Sequence, residues 1–179
     1  PLRMMTYNIR YSNPEDSQWV ARQGRIASMI QFHEPAVVGT QEGQLHQLID
    51  LKGHLENYER VGVGRASGGG EFSALLYQPM RLELLEYDTF WLSEEPRNPK
   101  SQSWDAAFPR IATWARFRDR LTENVFVVLN THLDHRSDTA RIESAHLIQQ
   151  RVSKLVDTEP VVVMGDFNIA PADADVHDP

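Results

Sequence analysis

The apolar positions of this chain fall into short runs separated by turn-forming residues, with two longer stretches at helical spacing. Leu2–Ile9 predicts a strand that opens into a loop over Tyr11–Ser17. Ile26, Met29, Ile30 and Phe32 recur at helical spacing behind Arg22 and Arg25, so Trp19–His33 predicts an amphipathic helix, stopped by Pro35. Ala36–Thr40 predicts a short buried strand and Gln44–Leu51 a short helix. Tyr58–Val63 reads as another strand, followed by flexible turns at Gly62, Gly64 and Gly68–Gly70. Glu71–Tyr77, Leu82–Leu92 and Ile111–Arg118 read as consecutive antiparallel strands, the last two separated by the polar loop Ser93–Pro109. Val125–His132 is a strongly apolar strand. Thr139–Val156 is a helix with Ala140, Ala145, Leu147, Ile148, Val152 and Leu155 on or near one face. Pro160–Met164 is a buried strand that leads into Gly165-Asp166-Phe167-Asn168.

This pattern is strand-rich with inserted helices, an α/β arrangement of sheets covered by helices. One strand sits uneasily in it. Val161–Met164 is apolar on both alternating faces, which suits the middle of a sheet, yet only fifteen residues follow it. Those residues are polar and acidic, with Asp166, Asp173, Asp175 and Asp178 and no Lys or Arg. The expectation is a single domain over residues 1–179 that lacks its C-terminal portion, with one sheet incomplete. An open apolar edge predicts self-association or marginal stability.

Composition narrows the function more than the fold. The 179 residues fit one domain, and 18 Lys+Arg against 25 Asp+Glu give a net charge of −7. Such a chain gains no long-range attraction to a phosphate backbone, so nucleic acid is a disfavoured partner. A local patch or a bound cation keeps it possible. The absence of cysteine excludes a disulfide framework, a Cys-ligated zinc and a thiol nucleophile. Apolar runs such as Val125–Leu129 are far shorter than a membrane span, and no charged-then-apolar leader opens the sequence. The expectation is a soluble chain, cytoplasmic or exported after leader removal.

The polar groups at strand ends carry the chemistry. Asn8 ends the first strand, Glu42 follows Ala36–Thr40, His132 ends Val125–Thr131, and Asp166 and Asn168 follow Val161–Met164. Strand ends of a layered sheet protein converge on one rim, where ligands bind. Two carboxylates, two carboxamides and one imidazole form a hard-oxygen set with a proton carrier, which suits Mg²⁺ or Mn²⁺. Zinc is poorly served by one histidine and no cysteine. Each element also has a bland reading: Glu42 as a solvated loop residue or helix cap, and Gly-Asp-Phe-Asn as a turn. Gly68–Gly70 is no phosphate loop, because no Gly-Lys-Ser/Thr follows it. Arg116, Arg118 and Arg120 alternate on a strand and read as a solvated face.

In order along the chain, MTYNIR, VVGTQE, GEFSALLY, TFWLSEEP, WDAAFPRIATWARF, NTHLDH and VVVMGDFN resemble the endonuclease/exonuclease/phosphatase superfamily of metal-dependent phosphoesterases. The resemblance runs from Met4 to about Asn168. It implies a four-layered α/β sandwich, two mostly antiparallel sheets packed face to face with helices outside. It implies Mg²⁺-dependent hydrolysis of a phosphoester, a phosphodiester first, by direct attack of water. Residue by residue, it makes Glu42 the main metal-binding carboxylate with Asn8 beside it. Asp166 would orient or deprotonate the attacking water, and Asn168 and Arg110 would hold the substrate phosphate. His132 would protonate the leaving oxygen or clamp the phosphate, with Glu71 orienting its ring and raising its pKa.

The sequence departs from the family pattern in two places. Arg10 stands where abasic-site endonucleases and exonuclease III carry a metal-binding Asp, while Gly165–Pro179 resembles exonuclease III. Relatives also continue for roughly 70–90 further residues and end in a Ser-Asp-His motif, which His177 and Asp178 do not reproduce. Two rival readings follow: an exonuclease III-like DNA nuclease, or an inactive remnant acting only as a binding module.

Overall fold

The computed structural model describes residues 1–12, 17–66, 69–156 and 158–170. The acidic tail residues Asp173, Asp175, His177 and Asp178, and most of the Tyr11–Ser17 loop, lie outside the described residues. The elements run β1 (Met4–Asn8), α1 (Ser17–His33), β2 (Val37–Gln41), α2 (Leu45–His54), β3 (Glu59–Val61), β4 (Gly64–Ala66) and β5 (Gly69–Phe72). They continue with β6 (Leu75–Tyr77), β7 (Leu82–Trp91), β8 (Ile111–Asp119), β9 (Val125–His132), α3 (Asp138–Leu155) and β10 (Val161–Asp166).

Among the described residues two four-stranded sheets form, in the orders β1-β2-β6-β3 and β10-β9-β8-β7, and β4 and β5 make a separate two-stranded ribbon. β1 runs parallel to β2 and β10 parallel to β9; the other pairs are antiparallel. Alternation along each strand decides which layer a side chain enters. Val37, Leu75 and Tyr77 of the first sheet meet Ala115, Phe117, Val128 and Met164 of the second. Val38 and Leu76, on the opposite face of the first sheet, pack under Trp19, Ile26 and Ile30 of α1 and Leu48 and Leu51 of α2. Trp114, Val127 and Leu129 of the second sheet pack under Ile148 of α3. The layers are therefore α/β/β/α, the sandwich that the resemblance implies.

Four local expectations are corrected. Glu71–Tyr77 is not one strand: β5 ends at Phe72 and β6 begins at Leu75, in a different sheet. β6 also pairs with β2 and β3 rather than with β7, so only β7 and β8 are neighbours among the three expected consecutive strands. On α1, Met29 and Phe32 point outward, 46% and 79% exposed, while Ile26 and Ile30 face the core. Arg116 and Arg118 are half-buried and ion-paired, Arg116 with Glu86 and Glu159 and Arg118 with Glu83, rather than simply solvated.

Candidate active site

The sheets approach closely under the rim. A Cβ on Gly39 of β2 would lie 2.7 Å from Met164 Sδ and 2.8 Å from Asn130 Cγ, so only glycine fits between the layers there. Beside it, Gln41 Nε2 donates to Asn130 Oδ1 at 2.7 Å, and Asn130 Nδ2 donates to the carbonyls of Thr40 and Ala74, each at 2.9 Å. Both side chains are buried, and pairing with each other removes the penalty of burying them. This bridge locks the ends of β2 and β9 at one level.

Above it the strand ends converge. Asn8, at the end of β1, donates from Nδ2 to Glu42 Oε1 at 2.8 Å and to Asp166 Oδ2 at 2.9 Å. Glu42 Oε2 accepts from the Tyr11 amide at 3.0 Å, and Asn8 Oδ1 accepts from the Arg10 amide at 2.9 Å. Asp166 Oδ1 accepts from the Asn168 amide at 3.1 Å, and its Oδ2 lies 3.9 Å from His132 Nε2. Asn168 Nδ2 donates to the carbonyl of Leu133 at 2.9 Å. Arg10, Glu42 and Asn168 all have left-handed backbone, with φ of 56°, 63° and 51°. That conformation is costly for Arg and Glu and mild for Asn, and it turns the chain out of each strand at the rim. Arg10 itself is exposed.

A second group of residues lines a small pocket with Glu42 and His132: Arg65, Glu71 and Arg110. Here the expected pairing is not formed. Glu71 Oε1 accepts from Arg65 Nη2 at 2.8 Å, while His132 Nδ1 is buried without a partner. Burial pushes the Arg65 guanidinium down and the Glu71 carboxyl up, in each case against the pull of its partner. Burial, reinforced by the Arg110 charge, lowers His132 to about 4, although Asp166 and Glu42 act the other way. The ring is thus neutral at pH 7, where a Glu71 partner would have raised its pKa. The reason is positional: Arg65, on the β4–β5 ribbon, takes the carboxylate first.

Asp134, Arg65 and His135 contact the candidate residues Arg110 and Glu71 and were not among the sequence candidates. Asp134 is fully buried and accepts from the Ala107 amide, Arg110 Nε, and the Arg136 and Ser137 amides at 2.9–3.2 Å. Burial pushes its carboxyl up, but the Ser137, Arg136 and Ala107 amides and the Arg110 charge outweigh it and hold it at about 2. A visible signal existed, because Asp two residues past a strand and three before a helix-capping Ser is a turn-forming position. Arg65, within a glycine-rich stretch, has none.

Every residue expected at the rim is therefore in one cluster, with Glu71 paired differently. Residues 5–179 match the endonuclease/exonuclease/phosphatase family over nearly the whole chain. The chain belongs to this family. A family protein of Bacteroides vulgatus superposes with a TM-score of 0.92 at 42% identity, covering 97% of this chain and 68% of that one. A Bacteroides thetaiotaomicron family protein gives 0.90 at 40% identity, covering 95% and 64%. The mannosyl-6-phosphatase of the same organism gives 0.91 at 40% identity, covering 96% and 67%. The chain thus spans about two thirds of the length of these family members. No curated protein matches it. No helix among the described residues is long and apolar enough to cross a membrane.

Proposed function

We propose that this family member hydrolyses a phosphoester by direct attack of water at phosphorus. The observation that carries this reading is the Asn8 amide, whose Nδ2 joins Glu42 and Asp166 at 2.8 and 2.9 Å across strands of both sheets.

The donor set fits a hard divalent cation. Glu42 and Asp166 supply carboxylate oxygens, and Asn8 Oδ1 accepts from the Arg10 amide and keeps a further lone pair. His132 is the imidazole beside them among the described residues, so Mg²⁺ or Mn²⁺ suits these donors better than zinc. Glu42 and Asn8 would hold the ion, which when bound neutralises charge on the non-bridging phosphate oxygens.

The protein groups have separable tasks. Burial raises the Asp166 carboxyl, but the Asn8 and Asn168 hydrogen bonds outweigh it, so it stays ionised and can take the proton of an attacking water. Asn168 uses one amide N–H on Leu133 and has a second for a phosphate oxygen. Arg110 Nη1, buried and unpartnered, is a further donor to the phosphate. His132, neutral at pH 7, serves the leaving oxygen as a hydrogen-bond donor rather than as a cationic acid.

A phosphodiester is the substrate class expected from the resemblance. The mannosyl-6-phosphatase at 40% identity favours a second reading, a sugar phosphomonoester. The test is release of product from bis(p-nitrophenyl) phosphate, mannose 6-phosphate and an abasic DNA duplex, with Mg²⁺, Mn²⁺ or chelator. Metal-dependent turnover of one ester class, abolished in Asp166→Asn, supports the proposal. Turnover that ignores chelator, or that Asp166→Asn retains in full, overturns it.

A further inference from the structure

The Arg110 guanidinium is almost sealed, its side chain 4% exposed, and its three nitrogens have three different environments. Nε donates to Asp134 Oδ2 at 3.2 Å. Nη2 lies 2.9 Å from His135 Nδ1. Nη1 is buried with no partner, and Arg110 lines the pocket that also holds Glu42, Glu71 and His132. Arginine has only donors, so His135 Nδ1 must be the acceptor, which fixes a neutral ring with its proton on Nε2. A planar guanidinium held at two nitrogens has its third direction fixed as well. A buried donor without an acceptor is costly, and an anionic oxygen entering the pocket would relieve that cost.

We infer that His135 is a positioning residue: with Asp134 it clamps Arg110 so that Nη1 is the one free corner presented to a phosphate-type anion. The inference rests on the phosphoester reading for the ligand, but the clamp is a property of the protein alone. Asp134 cannot drift, because the amides of Ala107, Arg136 and Ser137 hold it from both flanking segments. His135 is the adjustable half. It is exposed, and its ring stacks on Phe108 with centroids 6.0 Å apart and planes at 20°. Two roles are thus possible for it, acceptor or stacking partner, and they can be separated chemically.

His135→Asn keeps an acceptor, since Oδ1 is as many bonds from Cα as Nδ1, and removes the ring. His135→Phe keeps a ring and removes the acceptor. Both sit on the surface, so the core is untouched. The readouts are nitrogen-15 NMR of the Arg110 side chain and calorimetric titration with inorganic phosphate. His135→Phe should average the Arg110 Nη signals and weaken phosphate binding about three- to tenfold, the range of one hydrogen bond. His135→Asn should restore both. Loss in Asn with retention in Phe would show stacking to be the role and overturn the inference, as would unchanged Arg110 signals in both. A wild-type chain that shows the clamp by NMR but binds no phosphate supports the clamp and counts against the phosphoester reading.

Discussion

Glu42 holds its carboxylate between two donors, Asn8 Nδ2 and the Tyr11 amide, on a backbone with φ of 63°. Neither donor is a charge, so the carboxylate keeps its full negative charge for a cation. Glu42→Gln should therefore weaken Mg²⁺ binding on the order of 10–100-fold, at least as much as losing an outer-shell partner. It should leave the melting temperature of the metal-free protein nearly unchanged. Calorimetric Mg²⁺ titration checks this, and equal affinities would remove Glu42 as the ligand. Asp134 makes the opposite kind of residue, one whose charge is consumed by the fold. Its carboxyl is held at about 2 against an ordinary value of 3.8. A depressed pKa contributes stability that is present above pH 3.8 and lost as the pH falls toward 2. The contribution is about 2 kcal/mol. Urea unfolding across pH 5 to about 2 should show a shallower acid loss in Asp134→Asn than in wild type, and parallel curves would refute it. Glu42, Asn8, His132, Asp166 and Asn168 were legible as candidates because each ends or follows an apolar strand. Arg65 and His135 were not, since their importance depends on which side chain lies opposite, and Asp134 showed only as a turn-forming position after a strand.

At the scale of elements, the close approach of β2 to β9 and β10 places the rim. Gly39 is the contact point, where an added Cβ meets Met164 and Asn130 below 3 Å. Gly39→Ala should destabilise the protein by about 1–3 kcal/mol through overpacking, measured as a lower urea midpoint with unchanged slope. It should also disturb the Gln41–Asn130 bond beneath the site. An unchanged midpoint would mean that the layers are looser than 2.7 Å contacts allow. Gly165 is stricter, because φ is 153° and a Cβ would lie 2.1 Å from the Thr131 carbonyl oxygen, a backbone atom that cannot step aside. The helices and long strands were readable from periodicity. The β5–β6 break was not, because Glu71–Tyr77 is uniformly compatible with a strand and only the sheet assignment divides it.

For the whole molecule, β10 is the outer strand of its sheet among the described residues. Val163 is 41% and Phe167 39% exposed beside it, next to Ile148 and Val152 of α3. An unpaired apolar edge pairs with other edges. Light scattering should show self-association of the 179-residue chain that falls in Val163→Lys, because a charge at the edge disfavours strand addition. A monodisperse monomer for both proteins would show this edge to be protected.

The sequence by itself determined a strand-rich chain with inserted helices, hence sheets covered by helices, and the ordered motifs whose resemblance implies the four-layered family fold. It also determined which polar residues stand at strand ends, since turn and strand chemistry is local. Only the tertiary structure decided their partners. That Asn8 joins Glu42 to Asp166, that Arg65 takes Glu71 away from His132, and that Asp134 and His135 hold Arg110 are relations between distant segments. Such relations depend on a few ångströms of sheet packing and on competition among buried charges, and neither is encoded at any single position.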